Sequence, residues 1–193
     1  RGFEPGRVRA LLPRATVMMG VPTHYSRLLG DAGFDRDDCA TMRLFLCGSA
    51  PLLAETHERF EARSGHRILE RYGMTEAGMI TSNPYDGARI AGTVGFPLPG
   101  VEARVRDDEG RLVGADSVGT LEITGPNVFS GYWQMPDKTA ESFTSDGWFI
   151  TGDLVTRSFD GRITIVGRAK DLIIAGGYNI YPKEIESVID DMP

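Results

Sequence analysis

Four short segments set a small or glycine residue beside a side chain capable of chemistry. Each follows an expected strand, at the edge where open α/β sheets hold ligands. The first is CGSAPL, residues 47 to 52. Gly48, Ser49 and Ala50, ahead of Pro51, carry so little side chain that a flat ring could lie against the backbone. A tight strand-to-helix turn capped by Ser49 is the plainer reading, because short glycine motifs are common. The second is YGMTEAG, residues 72 to 78. Tyr72 offers an aromatic face, Gly73 and Met74 follow, and Thr75 places a hydroxyl at an expected helix start beside the Glu76 carboxylate. A hydroxyl and a carboxylate suit a phosphate and its Mg²⁺; they equally suit a capped helix N-terminus.

The third segment is Thr151-Gly152-Asp153, after Trp148-Phe149. Asp153 could accept two hydrogen bonds from vicinal ribose hydroxyls, or simply complete a turn. The fourth is GRAKDLIIAGGYNIYPKEIE, residues 167 to 186. There Arg168, Lys170 and Asp171 precede an apolar run and the Gly176-Gly177 pair, a pattern fitting a hinge, a phosphate contact or a charged turn.

The elements that must position these segments are of two kinds. Up to about residue 90, short apolar runs alternate with helical ones, as parallel βα units do. Residues 16–20 (TVMMG), 42–47 (MRLFLC) and 66–72 (HRILERY) read as strands. A helix is expected from Pro22, and another from Pro51 to Arg63 that ends at Gly65. From Thr93 to Ile165 the strands shorten and turns multiply, the mark of an antiparallel, barrel-like portion. VEARVR (101–106) alternates with period two, GTLEIT (119–124) returns, and Asp160-Gly161 turns into residues 162–166. A short helix is expected over residues 136–143 and a last one from Pro182. The fold class is therefore α/β, with parallel βα units followed by an antiparallel barrel-like subdomain and the start of a small C-terminal domain. Trp133 and Trp148 are expected to pack the barrel, and the three histidines are too scattered for a metal site.

Composition narrows the function. The 193 residues hold 21 Lys plus Arg against 27 Asp plus Glu, a net charge of −6. An acidic chain lacks the basic stripe that displaces counterions from nucleic acid. No apolar run approaches the roughly 20 residues that cross a bilayer. Cys39 and Cys47 are the two cysteines, too few for a disulfide framework, so a reducing, cytoplasmic location is expected. The start lacks a secretory signal pattern, and both ends read as cuts through a longer protein.

Taken in order, CGSAPL, YGMTE, TGD and GRAKDLIIAGGYNIYPKEIE resemble the adenylate-forming superfamily of acyl-CoA synthetases, luciferases and nonribosomal adenylation domains. The stretches VPTHYSRLL, MRLFLCGSAPLL, SNPYDG and GPNVFSGYWQMPDKT are most similar to its malonate-activating branch. The resemblance implies an enzyme, an acid–thiol ligase, that uses ATP, Mg²⁺ and coenzyme A. Gly48, Ser49, Ala50 and Pro51 would line the adenine pocket, with Tyr72 stacked on the base and Gly73 and Met74 beside it. Thr75 would touch the α-phosphate, Glu76 would bind Mg²⁺, and Asp153 would hold the ribose with Arg168 behind it. Lys170 would be a hinge, and Gly176 and Gly177 would face the coenzyme A channel. Residues 1–169 would belong to the large adenylate-binding domain, with 1–90 its α/β portion and 91–169 its barrel-like portion. Residues 170–193 would hold the hinge and the start of the small domain.

For the acid, Arg71 stands out, since a guanidinium pairs bidentately with a carboxylate such as the distal one of malonate. A solvated arginine paired with Glu70 or Glu76 is the alternative. Met79 and Ile80 are expected to line the same pocket, or the core. The family's glycine-rich phosphate loop and its adenylating lysine have no counterpart within these 193 residues, so the segment alone is expected to be inactive in the first half-reaction. A medium-chain or aryl-CoA ligase, and a nucleotide-binding module without catalysis, are the rival readings.

Overall fold

A computed structural model describes residues 2–175, 178–182, 185 and 189, with backbone alone at 174, 175, 178 and 179. The chain divides into two compact units, residues 1–73 with 81–95, and residues 74–80 with 96–193.

The first unit is built of βα repeats. Helix α1 (Pro5–Leu11) precedes β1 (Val17–Gly20), α2 (Pro22–Gly30), β2 (Leu44–Cys47), α3 (Ala54–Ser64) and β3 (Leu69–Met74). Strands β1 and β2 run parallel from Val17↔Leu44 to Gly20↔Cys47. β2 pairs parallel with β3 through Leu46↔Leu69 and Cys47↔Glu70. Proline at the first position of α1 and α2 fixes φ where no N–H is needed. Tyr25 and Leu28 of α2, Phe45 of β2, Phe60 of α3, Phe34 and Ile68 are fully buried. The Phe60 ring meets Phe45 at 4.9 Å and Tyr25 at 5.2 Å, both edge to face, an arrangement that adds to the ~1.5–3 kcal/mol each such side chain gains by leaving water.

Arg63, at the end of α3, holds the chain that leaves α2. Its guanidinium donates to the carbonyls of Phe34 (2.6 Å), Leu29 (2.7 Å), Asp31 (2.8 Å) and Ala32 (2.8 Å). α3 stops where the sequence indicates, at Gly65, whose φ of +77° is left-handed and whose N–H reaches Glu61 O. It starts three residues later than expected, at Ala54, and its N-cap is Leu53 with no side-chain hydrogen bond. Ser49 therefore caps nothing; at φ +70° its backbone is turned out of the helical region. β3 likewise begins at Leu69 rather than His66, because the Ser64 hydroxyl accepts the His66 N–H and keeps the chain turning.

In the second unit, β6 (Glu102–Arg106), β7 (Gly119–Thr124), β8 (Phe149–Arg157) and β9 (Ile163–Arg168) form an antiparallel sheet in sequential order. In chain order β4 (Gly78–Ser82) and the two-residue β5 (Phe96–Pro97) come before it and belong to the sheet of β1, β2 and β3. Gly119 is required where β7 starts, because a Cβ there would stand 2.5 Å from the Arg106 carbonyl oxygen. Leu121, Ile123, Val155 and Ile163 are fully buried and Val105 nearly so. Helix α4 (Pro136–Glu141) ends two residues short of expectation, its last turn closed by Ser142 N–H onto Lys138 and Thr139 carbonyls. A short hairpin follows, β10 (Ile173–Ala175) with β11 (Tyr178–Ile180), and Pro182 is helical, as are Ile185 and Ile189.

The tryptophan expectation fails at one of its two positions. Trp133 is 86% exposed and packs nothing. Trp148 is partly buried with the Arg104 guanidinium 4.2 Å above its ring. Arg104 also grips Asp146 at 2.6 and 2.9 Å and Glu122 at 2.5 Å, and these bonds push Asp146 well below the usual carboxylate range. This cluster fixes the turn from which β8 departs.

Candidate active site

In the first unit the candidate residues collect at the C-terminal ends of β2 and β3. Gly48, directly after β2, is buried, while Ser49, Ala50 and Pro51 are exposed. A Cβ on Gly48 would lie 3.0 Å from Arg71 Nη1 and 3.1 Å from the Arg71 carbonyl. Glycine at 48 thus lets the Arg71 side chain lie across the end of β2. Tyr72 is 9% exposed. Alternation along a strand sends neighbouring side chains to opposite faces, so Arg71 and Tyr72 diverge. The register with Gly48, rather than adjacency to Tyr72, is what sets the place of Arg71.

Neither carboxylate expected to pair with Arg71 does so. Glu70 is buried, accepts the Gly92 N–H at 3.1 Å and meets His57 Nδ1 at 3.2 Å. Glu76 accepts the Tyr132 hydroxyl at 3.0 Å. Among the described residues Arg71 has no carboxylate in ion-pair range. The sequence shows the histidines only as too scattered for a metal site and does not reveal Glu70 as the partner of His57, because a lone histidine on a helix gives no hint of a carboxylate 13 residues on.

Cys47 lies beside Arg71. Burial and then the Glu70 carboxylate push its thiol up to about 12, against a smaller downward pull from the Gly48 N–H and Arg71. Cys39 is pushed up to about 12 by burial and then by Asp38 and Asp35. Unfolded cysteine ionises near pH ~8.5, so between that value and about 12 unfolding releases protons. The stability these thiols contribute is complete below the unfolded value and is lost as pH rises through this window. Iodoacetamide at about pH 9 is therefore expected to spare both cysteines in the folded protein and label both in urea. Rapid labelling of either in the native state, followed by mass spectrometry, would contradict their burial.

In the second unit Thr75 and Glu76 sit on a turn rather than at a helix start. The chain passes from β3 through the turn, closed by Ala77 N–H onto Met74 O at 3.2 Å, directly into β4. The residues that follow, with glycine at 78 (φ +59°), run as a strand over Gly78–Ser82, so the capped-helix reading of Thr75 is overturned. Thr75 is exposed and Glu76 half-buried. Met79 is 40% exposed while Ile80 is buried, so of the two only Ile80 is core.

Asp153, in the middle of β8, has a side chain only 5% exposed and meets Arg168 Nε of β9 at 3.0 Å. The two stand opposite each other in the register. Thr151 orients this stretch, donating to Leu121 O at 2.8 Å while its oxygen accepts the Asp153 N–H at 3.1 Å. Lys170 is exposed in a 3₁₀ turn directly after β9. Gly176 and Gly177 lie outside the described residues.

No group of three or more metal-ligating side chains exists among the described residues. A half-buried carboxylate at Glu76 beside the Thr75 hydroxyl nevertheless fits Mg²⁺, which usually takes one or two carboxylates and completes its shell with phosphate oxygens and water. No helix among the described residues is long and apolar enough to cross a membrane.

Parallel βα units, an antiparallel sheet and these loops together define an adenylate-forming architecture. The chain belongs to the AMP-binding enzyme family, whose model matches residues 4–133. It is 44% identical over 187 residues to a malonate–CoA ligase of Arabidopsis thaliana, covering 92% of this chain and 30% of that one. It is 41% identical over 187 residues to a long-chain-fatty-acid–CoA ligase of Yersinia pestis, covering 96% of this chain and 33% of the relative. ATP-bound MatB from Rhodopseudomonas palustris superposes with a TM-score of 0.96 at 55% identity, over 99% of this chain and 38% of that one. The chain therefore spans about a third of the length of the curated relatives it matches.

Proposed function

We propose that this chain is the adenylate-binding part of an ATP-dependent acyl-CoA ligase whose acid is malonate or a close dicarboxylate. In the first half-reaction the carboxylate attacks the α-phosphorus of ATP, giving acyl-AMP and pyrophosphate. In the second, the thiol of coenzyme A displaces AMP to give the thioester. Such chemistry rests on positioning and on stabilising charge at phosphorus.

Gly48, Ser49, Ala50 and Pro51 then border the base, Tyr72 stacks on it, and Gly73 and Met74 complete that wall. Thr75 contacts the α-phosphate. Asp153 holds the ribose hydroxyls while Arg168 keeps its carboxylate oriented. Glu76 would hold Mg²⁺, which supplies neutralising charge to the phosphates. Lys170 serves as the hinge between a large domain over 1–169 and a small one from 170, with Gly176 and Gly177 facing the coenzyme A channel. The two unpaired, unreactive thiols suit the cytoplasm.

The observation that supports a dicarboxylate is Arg71, a partly buried guanidinium at the strand edge with both neighbouring carboxylates already engaged. A second acidic group on the substrate would meet that charge, whereas a simple fatty acid would leave it unpaired. Arg71→Leu in the full-length protein is expected to cut kcat/KM for malonate by about 100-fold or more while KM for ATP stays within about twofold. Thioester formation from malonate and from a series of fatty acids measures this. Unchanged malonate kinetics would return Arg71 to a structural role. The similarity to a long-chain ligase supports the rival acid, and preferential use of long-chain acids by the wild type would establish it.

A further inference from the structure

The turn that carries Thr75 and Glu76 rests on one later segment of the same unit. Asn127 Nδ2 donates to Ala77 O at 2.8 Å and to Met79 O at 3.3 Å. Phe129 N–H donates to Glu76 O at 2.8 Å. Tyr132 then reaches the Glu76 side chain, its hydroxyl donating to Oε1 at 3.0 Å. Among the described residues this is the carboxylate's only hydrogen bond, leaving Oε2 without a protein donor.

Tyr132 is itself held from three sides. Its backbone N–H donates to Thr139 Oγ1 at 2.9 Å, its ring meets Phe129 edge to face at 4.8 Å, and Lys138 Nζ stands 4.2 Å over the ring. Gly131, at φ +146°, lets the chain pass so close to α4 that a Cβ would meet Thr139 Cγ2 at 2.6 Å. A cation over a phenol ring draws electron density from it and makes the hydroxyl a stronger donor. So much rigid support for one hydroxyl would be idle if Glu76 were only a surface carboxylate.

We propose that Tyr132, backed by Lys138, is a positioning residue that fixes one oxygen of Glu76 so that the other is presented to a divalent cation carried by the nucleotide. The inference rests on the nucleotide-site reading above and extends it to residues which that reading leaves without a role. Tyr132 does not touch the reacting atoms; it acts through Glu76.

The test is binding of Mn²⁺, a spectroscopic stand-in for Mg²⁺, to the ATP-loaded full-length protein, followed by the electron paramagnetic resonance of free Mn²⁺. Tyr132→Phe is expected to weaken Mn²⁺ about tenfold, the scale of one hydrogen bond to a charged group. ATP affinity without metal should stay within about twofold. Lys138→Met, which keeps the phenol, is expected to weaken Mn²⁺ by about two- to fivefold, and it carries the test if Tyr132→Phe fails to fold by circular dichroism. Unchanged Mn²⁺ affinity in these variants, with Glu76→Gln still weakening it, would overturn the positioning role alone. If Glu76→Gln also leaves Mn²⁺ binding unchanged, the metal role of Glu76 falls and the proposal with it.

Discussion

Asp153→Ala in the full-length protein is expected to lower kcat/KM for ATP by about 100-fold or more, chiefly through KM, because the proposed site would lose two charge-assisted hydrogen bonds to the ribose at a desolvated position. The Asp153 side chain is 5% exposed and pairs with Arg168 at 3.0 Å, so it is held in place before any ligand arrives. Removing it also leaves Arg168 facing the site without its counter-ion. Arg168 is half exposed, so water screens that cost and the loss in fold stability should be small. The Thr151 bond to Leu121 persists, which keeps β8 in register. ATP-dependent pyrophosphate exchange at several ATP concentrations measures the effect. A KM for ATP within threefold of wild type would remove Asp153 from the nucleotide site.

Gly95→Ala should produce the largest loss of stability. Gly95 has φ +75°, and a Cβ there would fall inside contact distance of the Ser82 carbonyl group and the Asn83 nitrogen, all backbone atoms. Backbone cannot swing aside as the tip of a flexible side chain can. Asn83 is fixed by its own bonds, Nδ2 to Thr93 O at 2.7 Å and N–H to Glu70 O at 3.0 Å, so relief would have to break that network. Left-handed strain and overpacking together predict a destabilisation of about 3–5 kcal/mol. Urea unfolding of the purified variant measures it; a midpoint shift worth under about 1 kcal/mol would show that the loop relaxes freely.

The fold was legible where hydrophobic period and glycine spoke together. Residues 119–124 alternate cleanly and form β7 at those bounds, and Gly65 ends α3 because only glycine takes its αL position without cost. The misreadings share a cause: short polar residues that favour both caps and turns. Thr75 has every local mark of a helix start, yet the chain turns at Ala77 N–H onto Met74 O and runs on into β4 over Gly78–Ser82. Ser49 reads as a cap for the same reason, but Pro51 follows it and the helix waits until Ala54. Trp133 was misjudged from type alone, as large aromatics are usually buried.

The candidate site was legible as motifs and not as contacts. Asp153 and Arg168 are 15 residues apart in a hairpin, so their pairing follows once β8 and β9 are aligned. Glu70 with His57, and Glu76 with Tyr132, come from elements whose packing no local pattern specifies. Those distant pairs, more than the motifs, decide which charges remain available to a ligand.

The turn at residues 74–80 belongs to the second unit although the chain on either side of it belongs to the first. Recombination between relatives at residue 95 would therefore take Ala77 from one parent and Asn127 from the other, with Glu76 and Tyr132 separated in the same way. A crossover placed after Tyr132 would inherit the turn and its platform together. Such exchanges in this family should be tolerated at boundaries that honour this clasp, whatever the chain's linear order suggests.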